Sequence, residues 1–146
     1  MLLQAHQVTA SYGDAQALFG VDLAIAAGEV LALIGANGAG KSSFLKTVTG
    51  LLPARSGSVH FDGESLAGLH AADIVRRGIA LVPEGRRLFP SLSVEENLMM
   101  GALSGRRGPW DLARVFLYFL FCRKNAVCPA RRYRAGSSRW SRSGAR

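Results

Sequence analysis

Residues 35–42 read GANGAGKS, which satisfies G-x-x-x-x-G-K-[ST] at every fixed position. These residue types at this spacing suit one chemistry, the capture of phosphate groups. Gly35, Gly38 and Gly40, with Asn37 and Ala39 between them, let the backbone curl until successive N–H groups aim at one anion. A helix beginning at Lys41 adds its positive end. The Lys41 ammonium is placed to reach β- and γ-phosphate oxygens, and the Ser42 hydroxyl to ligate Mg2+; Ser43 follows on the same turn. The reading without chemistry is a glycine-rich turn between a strand and a helix. The apolar stretch EVLALI before the loop and the apolar-periodic helix after it supply the context that phosphate binding requires.

The elements that must hold this loop follow from alternation and turn residues. LLQAHQVTASYG reads as a strand with a glycine-containing turn, and FGVDLAIAAGE as a second strand ending in another turn. EVLALI reads as an apolar strand, and the helix after the loop stops near Gly50 and Pro53. SGSVHFDGESL is a short strand and turn with Val59 and Phe61 on one face. AADIVRRGIALVPEG gives a short helix closed by Gly78 and then an apolar strand, Ile79 to Val82. In SLSVEENLMMGAL, Ser93 stands three residues before Glu96, the spacing of a capping box. The expectation is an α/β chain.

At 146 residues, 49% of them apolar, the chain has the size and composition of one globular domain. Its net charge of +8 is unevenly placed. Of 18 basic residues, eight lie in 117–146, which holds no acid; the other ten balance the ten acids of 1–116. Asymmetry of this kind often marks a tail that binds nucleic acid or anionic lipid. Cys122 and Cys128 match no zinc or redox spacing. The N-terminus lacks a signal-peptide pattern. The longest apolar run, VFLYFLFC at 115–122, is far short of a membrane span. A cytoplasmic protein is expected.

The stretch from VTASYG through the phosphate loop to FDGESL resembles, over its whole length, the ATP-binding subunits of ABC transporters. That resemblance implies a P-loop NTPase fold with an N-terminal antiparallel β subdomain, ATP and Mg2+ as ligands, and Tyr12 as the aromatic that stacks on adenine. It also implies a second ATP-binding subunit, paired head to tail, and membrane permease subunits, with a peripheral place on the inner face of the plasma membrane. GIALVPEGRRLFPSLSVEENL narrows the likeness to the branched-chain amino acid uptake subfamily. There Glu84 stands where most of the family has a magnesium-sensing glutamine, and a carboxylate can replace the amide oxygen as a ligand. A solvated loop with local ion pairs is the plainer reading of 84–87.

The family's later motifs are not visible: the Leu-Ser-Gly-Gly signature, the acidic strand end, the catalytic glutamate and the late histidine. His6, His60 and His70 fit none of these places. The resemblance is read as ending with DLARVF at Phe116. Codons taken one base out of step across Arg132 to Trp140 are compatible with Leu-Ser-Gly-Gly-Glu-Gln-Gln-Met, the missing signature. Residues 1–116 are therefore expected to be the front of an ABC ATP-binding domain with an incomplete core. Residues 117–146 are expected to be an out-of-frame, poorly ordered basic tail, and ATP binding without hydrolysis follows. The alternative is a P-loop module whose basic tail binds nucleic acid or anionic lipid; the frame reading expects no nucleic acid.

Overall fold

The computed structural model describes residues 1–85, 87–105 and 108–130. Two compact units divide at Val82 and Pro83.

In the first unit, β1 (Leu3–Tyr12), β2 (Ala15–Ile25), β3 (Ala54–Phe61) and β4 (Glu64–Ser65) form one antiparallel sheet in the order β2-β1-β3-β4. The expected N-terminal hairpin is present, its second strand starting earlier than the sequence pattern implied. One sheet face buries Ala5, Val8 and Ala10 of β1, Leu18 of β2 and Val59 of β3. Phe44 and Val48 of helix α1 (Lys41–Val48) and Ile74 of α2 (Ala71–Arg77) complete this core, with Leu52 and Leu66.

The step from Ala5 to Val8 is odd, and a regular strand would turn Val8 and Ala10 to solvent. A bulge at Gln7 restores the phase. Between Ala5 and Val8, β1 spends one residue more than β2, and between His6 and Thr9 one more than β3. Gln7 has a left-handed backbone, φ 46°, and Asp22 holds it: its carboxylate accepts from the Gln7 backbone N–H at 2.9 Å and from the Gln7 side chain. Opposite the bulge stands Gly57, φ 82°, where a Cβ would lie 2.3 Å from the Gln7 carbonyl oxygen and 2.4 Å from that of His6. Only glycine lets the two strands approach this closely.

Two expected strands are absent. Residues 29–34 and 79–82 carry no ladder, and Val30, Ile34 and Val82 are 96%, 93% and 93% exposed. An apolar strand of this kind is held by neighbours on its edges and layers on its faces, and no described strand pairs with either segment. Helix α2 ends as read, at Gly78 with φ 117°.

In the second unit, α3 (Val94–Met99) starts from the capping box read in the sequence: Ser93 Oγ accepts from Glu96 N at 3.2 Å and Glu96 Oε2 from Ser93 N at 2.7 Å. A 3-10 turn (Met100–Ser104) follows, then α4 (Leu112–Tyr118), capped by Asp111, and α5 (Leu120–Lys124). The chain after α5 returns to the start of α3, where Val94 N donates to Cys128 O and Ala130 N to Leu92 O. Residues 117–130 of the expected tail thus contribute the end of α4, α5 and this return; 131–146 lie outside the described residues.

Candidate functional site

The phosphate loop links the unpaired segment 29–34 to α1. Within it, Ala39 N donates to Ala36 O at 3.2 Å, a tight turn across Asn37 and Gly38. Gly40 is the N-cap residue of α1 with φ 86°, and a Cβ there would stand 2.8 Å from the Ala17 carbonyl of β2. The loop end is therefore seated on the hairpin, and glycine is demanded by both backbone angle and space.

Helix α1 begins without a side-chain cap and with no acid in its first turn. Most helices place a capping oxygen there; its absence leaves the positive helix end for an external anion. Lys41 Nζ donates to the carbonyls of Gly35 and Ala36 at 2.6 and 2.7 Å, closing the loop on itself. Phosphate oxygens compete well with these neutral acceptors, because a bond between ions is the stronger one. Ser42 and Ser43 sit in the same first turn, so the residues present fit a triphosphate with its magnesium.

Tyr12 ends β1 beside this helix. Lys46 Nζ lies 5.5 Å from its ring centroid and 3.3 Å from its hydroxyl. A hydrogen bond with Ser43, and then the one with Lys46, hold the Tyr12 hydroxyl below the usual phenol range. The structure thus brings Tyr12, Gly35, Asn37, Gly38, Ala39, Gly40, Lys41, Ser42 and Ser43 into one unit. Glu84 belongs to the other unit and lies in a turn with Gly85. Among the described residues no group of three or more His, Cys, Asp or Glu side chains is arranged to hold a metal ion. Lys46 escaped the sequence reading; its signal was the three-residue spacing from Ser43, which puts both on one face of α1.

The chain matches the ABC transporter family over residues 18–140. It belongs to that family. The match runs beyond Phe116, where the sequence reading placed the end of the likeness. This ABC chain is 51% identical over 100 residues to the high-affinity branched-chain amino acid transport ATP-binding protein BraG of Pseudomonas aeruginosa, covering 68% of the chain and 43% of the relative. It is 38% identical over 107 residues to the ribose import ATP-binding protein RbsA of Yersinia pestis, covering 73% of the chain and 21% of the relative. The chain spans less than half the length of either. A nucleotide-free ATP-binding cassette from an ABC transporter superposes with a TM-score of 0.72 at 25% identity, over 89% of this chain and 58% of that one. An ATP-binding cassette in its ADP conformation gives 0.66 at 26% identity, over 89% and 57%. No helix among the described residues is long and apolar enough to cross a membrane.

Proposed function

We propose that this chain is the nucleotide-binding front of an ABC importer subunit for branched-chain amino acids. One observation carries the reading: the uncapped start of α1, with Lys41 folded onto the carbonyls of its own loop. In this reading the backbone of 35–40 cradles the phosphates, Lys41 transfers its donors from the loop to the β- and γ-oxygens, and Ser43 completes the turn. Tyr12 supplies the face for adenine. Mg2+ would be held by the Ser42 hydroxyl and, when bound, would neutralise phosphate charge. The choice of amino acid over sugar rests on the greater identity to the branched-chain relative. A second ATP-binding subunit and a permease are the partners, met on the cytoplasmic face of the membrane.

The chain binds ATP in this reading but does not turn it over, because no residue read in it matches the family's catalytic glutamate or acidic strand end. Titration calorimetry with Mg·ATP and a phosphate-release assay on the purified chain test both halves. Lys41→Ala is expected to weaken binding about 10- to 100-fold, as loss of a charge-assisted hydrogen bond implies. Equal affinity in that variant rejects the site, and phosphate release that Lys41→Ala abolishes rejects the absence of turnover. The frame slip after Phe116 belongs to the same proposal and is supported by the codon compatibility across Arg132 to Trp140. Sequencing the DNA through the Phe116 codon decides it.

A further inference from the structure

The apolar run at 115–122 does not form one helix. Helix α4 stops at Tyr118, Phe119 takes φ −116° and ψ 69°, and α5 starts at Leu120. Leu112, Val115 and Phe116 are half-buried, whereas Leu117, Tyr118, Phe119 and Leu120 at the corner are between 56% and 69% exposed. Trp110, itself 61% exposed, sets its ring 5.4 Å from that of Tyr118 and widens the patch. Contiguous apolar surface of this kind marks an interaction site. Basic residues outnumber acids beside it, where the one acid, Asp111, caps α4. Arg114 on α4 and Arg123 and Lys124 on α5 are exposed, and no acid occurs anywhere after Asp111.

We infer that the α4–α5 corner docks on an anionic lipid bilayer. Two short helices with a Leu-Tyr-Phe-Leu corner have no means of spanning a membrane, but their apolar side chains reach the boundary between headgroups and acyl chains. Trp110 and Tyr118 carry polar tips on apolar rings, the combination that settles at that boundary. Arg114, Arg123 and Lys124 meet the negative potential of the leaflet and outnumber Asp111, the one acid of the segment. A nucleic acid would use the same cations and stack on the aromatics, yet it has no use for the exposed aliphatics Leu117 and Leu120. The inference does not depend on nucleotide binding or on how residues 117–146 arose, since it rests on the surface that this polypeptide presents.

Flotation of the full chain with vesicles tests it, using phosphatidylglycerol with phosphatidylethanolamine against phosphatidylcholine alone. The chain is expected to float with the anionic vesicles, and the double variant Phe119→Ser, Leu120→Ser to lose about tenfold in binding, as expected when apolar insertion is removed. Both side chains are exposed, and an unchanged circular dichroism spectrum shows the variant folded. In a Trp140→Phe background, Trp110 emission is expected to shift to the blue on addition of the anionic vesicles. Arg123→Gln with Lys124→Gln keeps the apolar corner and is expected to weaken binding to anionic vesicles alone. Undiminished flotation of the double serine variant, equal flotation with neutral vesicles, or retention by single-stranded DNA without vesicle binding overturns the assignment.

Discussion

Lys46 stands 5.5 Å over the ring of Tyr12 and 3.3 Å from its hydroxyl, tying the end of β1 to the helix that begins at the phosphate loop. With Gly40 seated against the Ala17 carbonyl, that helix touches the hairpin at two places, one on each strand. The loop is thereby positioned by the antiparallel sheet, although the segment leading into it has no ladder of its own.

The tie is readable in the ionisation of Tyr12. Its phenol is held below the ordinary value, by Ser43 first and Lys46 second. For an acid with a depressed folded pKa, the stabilisation is present above the unfolded value, about 10 for tyrosine, and is lost as pH falls through the folded one. At neutral pH it contributes nothing. A phenolate absorbance titration is expected to show one early component among the three tyrosines, absent in Tyr12→Phe. Ser43→Ala should move that component back towards free tyrosine; an unmoved midpoint would deny the contact.

Asp22 gives the opposite end of the pH scale. The Gln7 backbone N–H, followed by the Gln7 side chain and His6, holds its carboxyl below the usual carboxylate range. His6 Nδ1 lies 2.9 Å from it. A depressed carboxylate contributes stability above its unfolded pKa, about 3.9, and that contribution fades as pH falls through the folded value. Asp22→Asn is expected to lower the melting temperature at neutral pH and to flatten its dependence on pH below about 4. Parallel melting curves for the two proteins through the acid range would show that Asp22 does not pin the bulge.

Gly57 separates backbone strain from collision. Gly57→Ala places a Cβ 2.3 Å from the Gln7 carbonyl oxygen and is expected to cost roughly 2–4 kcal/mol, from clash and strain together. Gly63 has a similar φ of 81°, but a Cβ there meets nothing within 4 Å. Gly63→Ala should therefore cost only about 1–2 kcal/mol, the left-handed penalty alone. Chemical denaturation of both variants measures the difference, and equal losses would mean that the close approach of β1 and β3 is not a constraint.

What could be read from the residues is what short-range chemistry decides. The phosphate loop, the cap at Ser93 and the stop at Gly78 each depend on a few neighbours in sequence, and each lies where it was expected. The bulge at Gln7 escaped because glutamine carries no turn signal; the demand comes from Gly57, 50 positions away, and from Asp22. The strands expected at 29–34 and 79–82 failed for a related reason. Apolar β-branched runs announce that a segment suits a sheet interior, but pairing is a property of neighbours, and no described strand supplies them. Likewise, Glu84 could be named by its place in a motif, whereas the structure groups it with another unit.

The bare stretch 30–34 runs directly into Gly35, so an unpaired apolar edge adjoins the phosphate loop. Laid amide to carbonyl along a second molecule, its apolar side chains would seed a growing fibril. A triphosphate held by the adjoining backbone of 35–40 would fix one end of this stretch and favour the folded form over the open one. Nucleotide should then act as an anti-aggregation ligand, withdrawing the sticky conformer by mass action.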